Sequence, residues 1–360
     1  MEILIIGAGV LGSLYASRLA RVGHPVTVLA RGTRADSLRN EGILLEAIPS
    51  GEQTATAVGV IETLDPEADF DLALVMVRKY QLADLLPMLA KNQKIPTYLF
   101  LGNNVVGAEE IVSVLDSRRV LLGFAAAGGV REGNRVRYLA PEPGKDLGKT
   151  ILGALDGSRS VRLLKLRLLF EGTGLPVQIS TDIDAWLKNH AAVILPVAWA
   201  LYAAGGDNYR LARTRDGVLL MLRAVRENLK VLRLLGIPVL PWSLRWLAWL
   251  PEPLMLPWLQ RMLDSRQAEI GLAGHANAAR DEILLLSEEF ARLTRAAAVP
   301  VPAGKRLMQS LDPDQPVLPE GVADETVDWN GLWMMVSLGI GLVALVRFLF
   351  KKLFWRREVR

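Results

Sequence analysis

The sequence predicts an α/β N-terminal domain built on a parallel sheet, an all-helical C-terminal domain, and an apolar helix at the C-terminus. Three observations predict it. A short apolar run, Ile3 to Ile6, leads into GAGVLG and then into apolar residues at helical spacing. Further apolar runs follow at 72–77, 97–101 and 120–126, separated by helical segments. From about residue 180 the glycine-punctuated strand pattern stops, and long helical stretches replace it. A chain of 360 residues is long enough for two domains of ordinary size.

MEILIIG reads as a buried parallel strand. It carries no basic n-region and no cleavage site, so no secretory signal is expected. Leu11, Leu14, Tyr15, Leu19 and Val22 recur on one helical face, Gly23 stands where a C-cap glycine belongs, and PVTVLA is a second strand. Between strand and helix, Gly7-Ala8-Gly9-Val10-Leu11-Gly12 reads as the GxGxxG loop of a Rossmann-type dinucleotide domain, expected over residues 1–180. Gly7 makes the tight turn, Gly9 leaves room for a pyrophosphate, and Gly12 lets helix and strand pack. The free N–H groups of the helix N-terminus then face the phosphates.

The residue ending the second strand sorts the cofactors. An acid there would hold the ribose 2′-hydroxyl of NAD. Arg31, with Arg34 close behind, favours a 2′-phosphate and therefore NADP(H). The next two strands end in Arg78, Lys79, Tyr80, Gln81 and in Gly102, Asn103, Asn104. Ligands of such sheets sit beyond the carboxyl ends of the strands, so Gly7, Arg31, Arg78 and Asn103 are expected to converge on one crevice.

Helical patterns over 182–204, 211–235 and 257–297, with GGDNYR and LGIPVLP as turns, predict a helical substrate domain over 181–311. A cleft between the two domains is a usual place for a site. In DAWLKNHAAVILP, Lys188 stands in a helix that is apolar nearly all round. Two readings stay open from the residues alone: a desolvated proton donor, and a helix-end lysine whose stem is covered while its ammonium reaches water.

Composition narrows the partners. The net charge of +4 leaves little reason to expect nucleic acid, since much of the basic excess lies in RFLFKKLFWRREVR. The absence of cysteine removes disulfides, thiol catalysis and Cys-ligated zinc, and His24, His190 and His275 are too scattered to suggest a metal cluster.

The residues together resemble the ketopantoate reductase (2-dehydropantoate 2-reductase) family over roughly 1–311. The resemblance rests on GAGVLG, Arg31, VRKYQ, GNNVVGAEE, WLK and EI…VPVPAGKRL, in that order. It implies NADPH-dependent reduction of a 2-oxo acid to a 2-hydroxy acid. The family's active-site lysine falls on Lys188, its loop asparagine on Asn103, its substrate-side glutamate on Glu282 and its cofactor-holding lysine on Arg78. A hydride adding to a ketone builds charge on the oxygen, which a cationic lysine stabilises and protonates. There are departures too. Ala192 and Pro196 stand where the family has substrate-holding asparagines, and IGLAGHANAARDE lacks the family's serine and offers His275 instead. The cofactor half is therefore expected to be kept and the substrate half changed, toward a larger or more apolar oxo substrate. A non-catalytic NADP(H)-binding sensor or scaffold is the alternative, and a homodimer stays open.

The acidic, proline-bearing stretch 312–330 reads as a linker, and 331–357 as a membrane-anchor helix. Gly331 to Val346 carry no charge, and extension to Phe350 gives about 20 residues, enough to span about 30 Å. Trp329, Trp333 and Trp355 mark its ends as an aromatic belt would. The Trp-rich segment 241–262 is a second candidate for an interface with lipid. The expectation is a membrane-associated protein whose catalytic domain faces the cytoplasm, although Lys351, Lys352, Arg356 and Arg357 after the span favour a cytoplasmic C-terminus instead.

Overall fold

The computed structural model describes residues 1–125, 127–140, 148–321 and 323–337. Its strands are β1 (Ile3–Ile6), β2 (Val26–Leu29), β3 (Ile43–Ile48), β4 (Gln53–Thr56), β5 (Gly59–Ile61), β6 (Leu72–Val75), β7 (Tyr98–Leu101), β8 (Val120–Phe124), β9 (Gly129–Glu132), β10 (Arg135–Leu139), β11 (Thr150–Ala154) and β12 (Val177–Ile179). Eight of them form one sheet in the order β12-β11-β8-β7-β6-β1-β2-β5. The central strand β1 sets Ile3 beside Val26 of β2 and Leu72 of β6, both parallel. Every residue of β1, β6 and β7 is buried, which explains why these strands read as unbroken apolar runs rather than alternations. The crossovers on one side of β1 run toward β2 and on the other toward β6, so the ends of β1 and β6 flank a topological switch point.

Two features depart from an all-parallel sheet. Strand β11 runs antiparallel to β8. A second sheet, β4-β3-β10-β9, stands apart from the first, with β3 and β10 parallel and two antiparallel pairs at its edges. Its strand β9 passes over the glycine loop: a Cβ on Gly129 would lie 3.0 Å from Val10 Cγ1.

The helices of the first domain are α1 (Val10–Arg21), α2 (Thr33–Glu41), α3 (Leu82–Lys91), α4 (Glu109–Val112) and α5 (Val161–Glu171). Those that follow are α6 (Ile183–Ala203), α7 (Asn208–Arg213), α8 (Arg215–Leu234), α9 (Leu244–Trp249), α10 (Glu252–Leu263), α11 (Arg266–Ala268), α12 (Gly274–Ala278), α13 (Arg280–Ala297) and α14 (Pro302–Met308). Asp182 caps α6 by accepting from the Ala185 amide. The helix buries Leu195, Trp199 and Leu201 in a core shared with Leu229 and Leu232 of α8 and Phe290 of α13. The helix expected over 257–297 is broken. Ser265 starts a new turn by capping Ala268, and a π-helical turn follows at Glu269–Ala273. The turn packs closely against the first domain: Gly271 Cα lies 3.4 Å from where a Cβ on Gly128 would stand.

Residues 318–321 and 323–328 lie along the helical domain as a strap. Leu318 donates its amide to Ala203 O, and Glu320 pairs with Arg210 and Arg213. Asp216 Oδ2 accepts the amides of Asp324 and Glu325. The Glu325 carboxylate meets Arg223 and Arg306, and buried Glu252 accepts from Arg223 and from the Asp328 amide.

The membrane expectation is corrected. Among the described residues no helix is long and apolar enough to cross a membrane. Segment 241–262 is divided at Pro251 into helices of 6 and 12 residues, too short to span. Trp242, Trp246, Trp249 and Trp258 are exposed there, on the surface of the helical domain. Of the expected anchor at 331–357, only residues 331–337 are described, as a helical turn or two, and residues 338–357 lie outside the described residues.

Candidate functional site

The glycine loop shows its requirements atom by atom. Gly7 has φ +111°, and a Cβ there would stand 2.4 Å from Met76 O. A Cβ on Gly12 would stand 1.8 Å from Gly7 O. Neither position accepts a side chain, because backbone is the obstacle. Gly9 differs: a Cβ would meet nothing within 4 Å, so the space above it is open. That open space caps the N-terminus of α1, where a phosphate group is favoured. Three elements meet at this loop through Arg34, whose guanidinium donates to Ala8 O, Ser13 Oγ and Asn134 O. Arg34 is thereby committed to structure, and burial beside Arg131 pushes its pKa down. Arg31, at the end of β2, is exposed, and its only described bond is a long one to Glu62 O. It is the freer cation for a 2′-phosphate.

The strand ends after β6 and β7 build the other side. A cavity there is lined by Arg78, Lys79, Gly102, Asn103, Asn104 and Leu187. Asn104 holds its loop by donating to Gly107 O and accepting from Gly107 N, while Gly107 takes φ +88°. That turn presents Asn103, whose Nδ2 donates to Glu282 Oε1 at 3.4 Å across the domain boundary. The same carboxylate oxygen accepts from the Lys79 amide at 3.3 Å. Asn103 Oδ1 is buried with no partner among the described residues. An orphaned acceptor at this place, beside an open glycine cradle, fits a ligand amide such as the carboxamide of a nicotinamide cofactor.

Two histidines stand near these groups: His275 feels the charges of Glu282 and Arg78, and His190 feels His275. His275 is exposed to solvent, yet desolvation lowers its pKa, with Glu282 opposing and Arg78 adding to the shift. His190 is packed 4.0 Å from the Phe124 ring and stacked on Trp186. Burial, with His275 as a secondary cause, lowers its pKa to about 3, so it is neutral at physiological pH.

The structure therefore brings Arg78, Asn103, Glu282 and His275 together. Lys188 is placed differently. Its ammonium pairs with Asp184 one turn earlier, next to the Asn104–Gly107 turn, where a Cβ on Gly107 would lie 3.2 Å from Asp184 Oδ1. Among the described residues no hydrogen bond joins Lys188 to Asn103, Glu282 or His275. Lys79 and His190 were singled out for no role by sequence reasoning. Lys79 lies in the strand-end run read for its arginine, with no local pattern marking its burial, and His190 sits about 200° around the helix from Lys188. Ala192 is fully buried and Pro196 is buried, so both belong to the helical core.

Comparison with known proteins gives the family context. Residues 3–157 match the family model described as ketopantoate reductase PanE/ApbA. The 2-dehydropantoate 2-reductase of Pyrococcus horikoshii is 27% identical over 190 residues, covering 52% of this chain and 58% of that protein. That of Listeria monocytogenes is 26% identical over 132 residues, covering 37% of this chain and 44% of the relative. The chain thus spans only about half the length of these two relatives. Among solved structures, the 2-dehydropantoate 2-reductase of Geobacter metallireducens superimposes with a TM-score of 0.71 at 18% identity, covering 88% of this chain and all of that one. D-mandelate dehydrogenase, in ternary complex with NADH and anilino(oxo)acetate, gives a TM-score of 0.69 at 16% identity, covering 86% and 97%. These two likenesses are of fold.

Proposed function

With residues 3–157 carrying the pattern of the ketopantoate reductase PanE/ApbA family, we propose that the protein is an NADP(H)-dependent oxidoreductase that reduces a 2-oxo acid to the 2-hydroxy acid. The observation that carries this reading is the Asn103–Glu282 contact at the mouth of the glycine crevice, with Asn103 Oδ1 left free for a ligand.

Gly9 and the α1 N-terminus would hold the pyrophosphate, and Arg31 the 2′-phosphate. Arg78 lies at the edge of the same cavity as Asn103, where its charge would serve the cofactor's phosphates. The bound cofactor supplies a hydride to the substrate carbonyl carbon. Lys188 supplies a proton to the carbonyl oxygen, which requires its ammonium to exchange Asp184 for substrate. Glu282 has its Oε1 fixed by two donors from the first domain, so its second oxygen can accept from a substrate hydroxyl. His275, close enough to Glu282 and Arg78 to feel both charges, offers a neutral imidazole for a further polar contact.

The substrate is either 2-dehydropantoate or a divergent, bulkier 2-oxo acid. Burial of Ala192 and Pro196 supports divergence, because no polar group replaces the family's asparagines at those places. Purified protein assayed for NADPH oxidation with ketopantoate and a panel of aliphatic and aryl 2-oxo acids tests the proposal. Turnover of ketopantoate at normal efficiency would remove the divergent substrate. NADPH binding without turnover of any acid would favour a non-catalytic NADP(H)-binding protein.

A further inference from the structure

The Lys79 side chain is only 5% exposed. A lysine so deep is paired or has work to do. Its Nζ lies 3.2 Å from Glu110 of α4 and 4.0 Å from Glu289 of α13, and its amide donates to Glu282. Glu282 and Glu289 stand seven residues apart, which puts them two turns apart on one face of α13. One residue of the dinucleotide domain thus holds both inward acids of the helix that carries the site glutamate. Glu289 is in need of this partner. Burial pushes its carboxyl pKa up, Lys79 first and then Arg292 and the Val105 backbone pull it down, and its Oε2 is buried with no hydrogen bond among the described residues.

We infer that Lys79 is a positioning residue, a two-point latch between the domains that fixes α13, and with it Glu282, against the crevice at the ends of β6 and β7. The latch separates the duties of two adjacent cations. Arg78 has no ion pair among the described residues and is left for the cofactor, whereas Lys79 is spent on the frame. Loosening the frame moves the groups that face the substrate more than those that hold the dinucleotide. The glycine loop and Arg31 belong to the first domain alone, but Glu282 reaches the crevice only through α13.

The kinetic consequence rests on the reductase reading; the mechanical one does not. Lys79→Met is expected to keep the NADPH dissociation constant within about threefold of wild type while lowering kcat/KM for the 2-oxo acid roughly tenfold or more. Lys79→Arg is expected to recover part of that loss. In urea unfolding, Lys79→Met and Glu289→Gln are expected to be non-additive, the double variant being more stable than the sum of the singles predicts. Wild-type kinetics in Lys79→Met, or strict additivity, overturns the latch. Should Lys79→Met fail to fold, Glu289→Gln alone removes the second latch point. It is expected to raise KM for the 2-oxo acid without moving NADPH affinity, and an unchanged KM overturns the inference. A wild-type protein that turns over no 2-oxo acid sinks the reductase reading, and the unfolding cycle then decides the latch by itself.

Discussion

Asn103 and Glu282 meet at 3.4 Å although they belong to different domains, and the asparagine reaches that contact with its other polar atom unused. The amide is thus divided between frame and ligand. Asn103→Asp sets a carboxylate against Glu282 and removes the donor. It is expected to lower kcat/KM by about 10- to 100-fold, and further than Asn103→Ala, because it adds repulsion to the lost bond. Steady-state kinetics of the two variants decide it, and an aspartate variant as active as wild type would refute the role.

The glycine loop allows a paired experiment. Gly12→Ala forces a Cβ to 1.8 Å from Gly7 O and is expected to cost about 3 kcal/mol or more of stability. Gly9→Ala meets no protein atom within 4 Å, so the fold is expected to survive within about 1 kcal/mol. The added methyl instead fills the space a pyrophosphate needs. Melting curves and NADPH titration of Gly9→Ala should therefore diverge: near-native melting, binding lost. Retained binding would move the cofactor away from this loop.

Lys188→Ala is expected to lower kcat roughly 10²- to 10⁴-fold while NADPH binding stays near wild type. Asp184→Asn is the informative companion. It frees the ammonium from its resting partner and leaves Lys188 in place. A proton donor should survive that change with an altered pH profile, whereas a merely structural ion pair would lose stability and leave turnover alone.

His190 links stability to pH. Its folded pKa, about 3, lies below the ordinary 6.5, so the unfolded chain binds the proton more tightly. Stability from this group is complete above pH 6.5 and is lost as pH falls toward 3. Its full extent is a few kcal/mol at most. His275 contributes in the same direction. Unfolding midpoints of His190→Phe, measured between pH 7 and 4, should fall less steeply than those of wild type. Parallel curves would mean that the imidazole is solvated.

The strap carries a prediction on salt. Glu325 joins Arg223 and Arg306, and its backbone meets Arg215 and Asp216. Glu325→Ala is expected to cost about 1–2 kcal/mol, less at high ionic strength because Arg306 is half-exposed. NADPH affinity should not change, since the strap lies on the helical domain only. Thermal unfolding at low and high salt measures both terms.

Legibility in the sequence followed the range of the forces involved. GAGVLG and its flanking strand and helix are local patterns, and they specify the crevice directly. The second sheet was not legible, because ILLEAI and RVRYL are short and gain their meaning from pairing with each other across a long stretch of chain. Asn103 and Glu282 could each be singled out, yet only the fold shows that they touch. No local pattern marks Lys79 and Glu289 as partners, because their burial depends on how two domains dock. The anchor was inferred from an uncharged run and the tryptophans at its ends, signals that do not separate a span from other uses of an apolar segment. The strap was read as a linker because acids and prolines suggest solvent, while the arginines that receive them are spread over α7, α8 and α14.

That strap also fixes a sequence of events during synthesis. Asp216 and Glu252 are buried acids on helices that leave the ribosome well before residues 324–328. Until those residues emerge, Asp216 lacks the two amides it accepts and Glu252 lacks one. The nascent chain can complete its nucleotide domain early, but it closes its helical domain only with nearly the last of the described residues in hand. A ribosome halted inside the strap would therefore display a finished nucleotide fold beside an unsealed bundle, a state that chaperones and proteases would meet before any substrate does.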